Sequence, residues 1–119
     1  IDMANNWSHS HFGKLGGNQI PGISMSMSGQ RLLEQAPDNT FFSDLKACNE
    51  FRDGETAAKS VLAETLVIVG NKDKMTSPTN ALKVARNIPN SRVCRLENCG
   101  HSMLSECPNA VLDALISIV

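Results

Sequence analysis

Two residues in the last third of this 119-residue chain are of the type and order needed to move a proton. Leu66, Val67, Ile68, Val69 and Gly70 form an apolar run that passes through Asn71 and Lys72 into Asp73. A second run, Ser91 to Glu97, passes through Asn98, Cys99 and Gly100 into His101. A carboxylate that accepts the Nδ1 hydrogen of an imidazole fixes its tautomer and stabilises the imidazolium, leaving Nε2 to take a proton from a hydroxyl. Such groups must sit on loops held by rigid elements, because a misplacement of about 1 Å can cost ~100-fold in rate. Gly100 lets the backbone turn sharply before the imidazole. Singly, each residue has a plainer reading. An Asp after a strand often caps a turn, and Lys72 and Lys74 flank this one as surface charges would. A lone His is more often a satisfied structural residue than a base. The pairing, in this order and with a helix between, carries the inference.

The elements around the pair follow from pattern. Four consecutive apolar residues, Leu66 to Val69, suit a strand buried on both faces. Ser77-Pro78 is a helix start, with Ser as N-cap and Pro at the first helical position. Ala81, Leu82, Val84, Ala85 and Ile88 supply that helix's apolar face, and Pro89-Asn90 ends it. Val93, Cys94 and Leu96 mark the second strand. Cys107-Pro108 opens a final helix with Val111, Leu112, Leu115, Ile116 and Val119 along one side. Strand, helix, strand, helix is an α/β arrangement: a parallel βαβα unit with a right-handed crossover as the expected hand. In open parallel sheets ligands collect beyond the carboxyl ends of the strands, where Asp73 and His101 both fall.

The first half reads differently. Residues 1 to 29 are not periodic, and Gly16-Gly17, Pro21-Gly22 and Gly29 interrupt them. Arg31 to Ala36 predicts a short helix. Asp38-Asn39-Thr40 offers N-cap oxygens to a second, with Phe41, Phe42, Leu45, Cys48 and Phe51 at helical spacing. Glu55 to about Ala63 predicts a third, with Ala57, Ala58, Val61 and Leu62 on one side. The division expected is a mostly helical segment over 1–63 and a βαβα part over 64–119.

Eleven basic and twelve acidic side chains leave a formal charge of −1 with no block of like charge. A nucleic-acid or anionic-membrane surface would need a clustered Lys/Arg face, so neither partner is expected. No apolar run approaches the ~20 residues that span a bilayer, and the first residues lack the charged and apolar regions of a secretory signal. The four cysteines, 48, 94, 99 and 107, could form disulfides or be free thiols. Cys94 in a strand and Cys48 in a helix read as small buried thiols, so the expectation is a reduced, cytoplasmic chain. Cys99, His101 and Cys107 lack the paired-ligand spacing of structural zinc; no metal and no cofactor are expected.

Thr65 to Asp73 (T-L-V-I-V-G-N-K-D), Met75-Thr76-Ser77-Pro78 with its helix, and Asn98-Cys99-Gly100-His101-Ser102-Met103 resemble the C-terminal segment of the α/β-hydrolase family. The resemblance covers residues 64–119 closely. More loosely it covers 1–63, where His11 to Asn18 and Asp44 to Asn49 look like the cap that many members insert before the acid strand. It implies a partial α/β-hydrolase fold, with Asp73 as the triad acid and His101 as the base. Glu64 stands where the family often has Pro. Trp7, Met75 and Met103 are candidate lining for an apolar substrate pocket under the cap, although scattered Met and aromatic residues also serve as core filler.

The family's third member is missing from its pattern. Its order is nucleophile, acid, histidine, with the nucleophile in G-x-S-x-G at a strand-to-helix elbow. Gly22-Ile23-Ser24-Met25-Ser26 lacks the closing Gly, Ser26-Met27-Ser28-Gly29 lacks the opening one, and neither follows an apolar strand. No oxyanion-hole donors are evident, and losing one such donor costs ~10²–10³ in turnover. Gly13-Lys14-Leu15-Gly16-Gly17 has neither the preceding strand nor the spacing of a phosphate-binding loop. The expectation is a fragment of a serine hydrolase for an ester or acyl substrate that supplies the acid and the histidine. The alternative is a non-catalytic stand-alone or dimeric protein that keeps the scaffold. Two strands leave an unpaired sheet edge, so a homodimer or pairing with a separate N-terminal hydrolase half is expected.

Overall fold

The computed structural model describes residues 25–118, with side chains from residue 27 onward. Three helices come first: α1 (Met25–Gln35), α2 (Thr40–Glu50) and α3 (Gly54–Lys59). Then β1 (Thr65–Gly70), α4 (Pro78–Asn87) and β2 (Ser91–Leu96) alternate, followed by α5 (Met103–Glu106) and α6 (Pro108–Ile116). β1 and β2 pair in parallel, from Thr65 opposite Ser91 to Gly70 opposite Leu96. This is the expected βαβα order, and a partial α/β fold.

Local chemistry explains most boundaries. Ser77 Oγ accepts the Asn80 amide at 3.4 Å, and Pro78 occupies the first turn of α4. Ser91 Oγ donates to the Ala85 carbonyl at 2.7 Å, tying the start of β2 to the end of α4. The core is small: Val69, Ala85, Cys99, Cys107, Val111 and Ala114 are its buried apolar side chains, with Ala58 on α3 beside α4.

Several expectations need correction. Residues 25–29 are helical, so α1 begins well before Arg31 and Gly29 is no breaker. A Cβ on Gly29 would meet nothing within 4 Å, and a helical Gly costs only ~1 kcal/mol relative to Ala. Asn39 caps α2 through its backbone, at φ 65°, and not through its side-chain oxygen; Asn tolerates the left-handed region because its short polar group bonds locally. α2 buries none of its side chains, and Cys48 is exposed. α3 stops at Lys59, leaving Leu62 85% exposed. In β1 only Val69 and Gly70 are buried, because the described residues cover its faces incompletely. α6 packs through Val111 and Ala114, while Leu112, Leu115 and Ile116 face outward. The single turn α5 was not expected at all.

Candidate functional site

Parallel strands of equal length end side by side, at Gly70 and Leu96. The loops that follow are sewn together by backbone: the Asn71 amide donates to the Leu96 carbonyl and the Lys72 amide to the Cys99 carbonyl, each at 2.9 Å. Gly70 permits this approach. A Cβ there would lie 2.5 Å from the Gly100 carbonyl oxygen and 2.7 Å from that of Cys99. The reason for glycine is space alone.

Asp73 and His101 meet across these loops. Asp73 Oδ2 lies 3.0 Å from His101 Nδ1, with the carboxylate side chain 6% exposed and the imidazole 38%. Asp73 Oδ1 accepts the Met75 and Thr76 amides, both at 2.9 Å. The two oxygens therefore have separate tasks: one anchors the carboxylate to its own loop and the other faces the ring. An ionised carboxylate can only accept, so the hydrogen of the Asp73–His101 bond is carried by Nδ1. Among the described residues Asp73 makes no ion pair with Lys72 or Lys74. The flanking lysines do not make it a surface charge.

The histidine loop has its own support. Glu106, 1% exposed, accepts the Gly100 amide on Oε2 at 2.7 Å and the Ser102 amide on Oε1 at 3.0 Å. The two amides flank His101. Cys99 and Cys107 are buried free thiols at either end of this loop, and Cys107 Sγ donates to the Asn98 carbonyl at 3.7 Å. Burial pushes the Cys99 thiol far above the ordinary range, reinforced by a hydrogen bond with Cys107 and by the negative charge of Glu106 and Asp73. Among the described residues no three His, Cys, Asp or Glu side chains are placed to hold a metal ion.

The other candidates are distributed as follows. Met75 is 45% exposed in the acid loop, and Met103, half-buried, begins α5 two residues after His101. Trp7 lies outside the described residues. Ser28 sits within α1 with no described strand before it, so it has no elbow. Glu106 and Gly70 were missed as supports of the site. The signal for Glu106 was a Ser102-Met103-Leu104-Ser105-Glu106 run, one residue longer than a capping box. Among the described residues no helix is long and apolar enough to cross a membrane.

A family model described as alpha/beta hydrolase fold matches residues 3–108. No curated protein and no solved structure matches the chain. The match spans α1 to α3 as well as both strands and both loops of the Asp–His pair, and the chain belongs to the α/β-hydrolase family.

Proposed function

We propose that Asp73 and His101 are the acid and base of a serine-hydrolase triad acting on an ester or acyl substrate. The observation that carries the reading is the 3.0 Å contact between Asp73 Oδ2 and His101 Nδ1, with the other carboxylate oxygen already held by two amides. In this reading His101 Nε2 takes the proton of a serine hydroxyl as that oxygen attacks the substrate carbonyl, then delivers it to the leaving group. Asp73 holds the ring and stabilises its charged form. Residues 1–63, of which α1 to α3 are the described helices, act as a cap, with Met75 and Met103 lining the substrate side.

The nucleophile and oxyanion donors come from outside the described residues, by pairing at an open strand edge with an N-terminal hydrolase half or with a second copy. The two-stranded sheet supports this, since each strand has one edge unpaired among the described residues. So do the exposed Val93, Leu112, Leu115 and Ile116. Four free thiols suit a reducing, cytoplasmic setting.

The test is hydrolysis of a p-nitrophenyl ester by the chain alone and mixed with an N-terminal α/β-hydrolase half carrying G-x-S-x-G. Activity is expected in the mixture only, and is lost with His101→Ala. Activity that survives His101→Ala sinks the reading, and activity in neither preparation favours a non-catalytic scaffold.

A further inference from the structure

We propose that Glu106 is the positioning residue of the site: its buried carboxylate grips the amides on both sides of His101 and thereby holds the imidazole against Asp73. The inference rests on the reading of His101 as the base. Its observations are separate from that reading. Glu106 is 1% exposed, and among the described residues no cation pairs with it. A carboxylate taken out of water must have its lone pairs satisfied, and here two backbone amides do so, at 2.7 Å and 3.0 Å.

A helix-capping role accounts for only half of this. Ser102 is the N-cap of α5, so an acceptor for its amide one turn on is ordinary helix chemistry. Gly100 lies outside the helix, six residues before Glu106, and a cap has no use for its amide. The two bonds bracket a two-residue stretch, Gly100 and His101, and His101 is its only side chain. Pinning the peptide before Gly100 and the peptide after His101 restricts the backbone between them to a short span closed at both ends.

The donor pattern also explains why the side chain is an acid. Two N–H groups need two acceptors, which a carboxylate has and a carboxamide does not. Glu106→Gln keeps size and shape and turns one of the two contacts into an N–H facing an N–H. Backbone adds support from the other side: the Cys99 carbonyl accepts the Lys72 amide at 2.9 Å, joining the histidine loop to the acid loop. From the side of α5, Glu106 holds the Gly100 and Ser102 amides, while Cys107 Sγ holds the Asn98 carbonyl at the start of the loop.

The test uses the chain itself, with its three histidines labelled with ¹⁵N and the His101 ring signals identified by their loss in His101→Asn. In the unsubstituted chain the ring is expected to be protonated at Nδ1, with a downfield Nδ1 proton. In Glu106→Gln that proton is expected to be lost to exchange. The ring nitrogens should shift toward the averaged values of a freely tautomerising imidazole, while amides of β1 and β2 stay protected from exchange. A support that is merely structural would lower the urea midpoint and leave the tautomer alone; that outcome overturns the proposal. Should Glu106→Gln not fold, scalar couplings across the Gly100 and Ser102 bonds to the Glu106 carboxyl carbon decide it in the unsubstituted chain. Both present bear the clamp out, and the absence of either overturns it. None of these readouts needs a substrate. Failed ester hydrolysis with an intact clamp therefore sinks the hydrolase reading alone, and a free ring in an active preparation cannot be mistaken for it.

Discussion

Replacing Gly70 by Ala tests the junction on which the whole site depends. The added carbon would stand 2.5 Å from the Gly100 carbonyl oxygen, 2.7 Å from the Cys99 oxygen and 3.1 Å from the Cys99 carbonyl carbon. Ordinary contact begins at 3.4 Å, so the closest pair is short by about 0.9 Å. All three obstacles are backbone atoms, and no side-chain rotation relieves them. The histidine loop must move away from β1. That motion pulls against the Lys72 amide on the Cys99 carbonyl and against the Gly100 amide on Glu106. Overpacking costs about 1–3 kcal/mol, and a buried amide or carboxylate left without its partner adds about 1–3 kcal/mol. The expected loss is about 2–6 kcal/mol, a large share of the ~5–15 kcal/mol that stabilises a domain. The displaced carbonyl belongs to the residue immediately before His101. A shift near 1 Å there costs ~100-fold in any proton transfer the ring performs. Urea unfolding gives the stability, and the ¹⁵N resonances of the His101 ring give the displacement. A stability change under about 0.5 kcal/mol with unmoved ring resonances would refute the reasoning, since surface substitutions away from strained sites fall in that range.

Two further outcomes follow from the core. The buried Cys99 thiol is pushed above its ordinary value of 9.0 chiefly by burial, then by its hydrogen bond with Cys107. Folded and unfolded chains both hold the proton below that pH; above it the unfolded chain loses the proton while the folded chain keeps it, so stability falls as pH rises. Urea midpoints measured in reductant between about pH 7 and 10 should therefore drop faster for the unsubstituted chain than for Cys99→Ala, and parallel curves would discount the buried thiol. Val69, 2% exposed, should cost about 1–3 kcal/mol when cut to Ala. Leu62, 85% exposed, should cost less than about 0.5 kcal/mol, and equal losses at the two positions would mean that the core lies elsewhere.

The parts of this molecule most legible in its sequence are those governed by local rules. Ser77-Pro78 starts a helix because a hydroxyl meets an orphan amide and a proline lacks one, and α4 begins there. Leu66 to Val69 is a strand in the structure as in the pattern. Where tertiary contacts decide, pattern fails. Helical spacing in α2 suggests a buried face of Phe41, Phe42 and Leu45, yet α2 buries nothing among the described residues. Leu112, Leu115 and Ile116 are apolar residues of α6, but the packed positions are Val111 and Ala114.

The site divides along the same line. Asp73 and His101 were recognisable from residue type, order and place after a strand, all of which are properties of the chain as a string. Parallel pairing in register then brings the strand ends level, and only that brings a carboxylate and an imidazole 28 residues apart to 3.0 Å. Glu106 and Gly70 had no comparable signature. Their partners are backbone amides and carbonyls, which every residue carries, so which of them meet is a matter of folded geometry and not of residue type. Sequence determined that a carboxylate and an imidazole each follow a strand. The tertiary structure decided which backbone atoms hold them in place, because a backbone hydrogen bond or a close approach is specified by position in space alone.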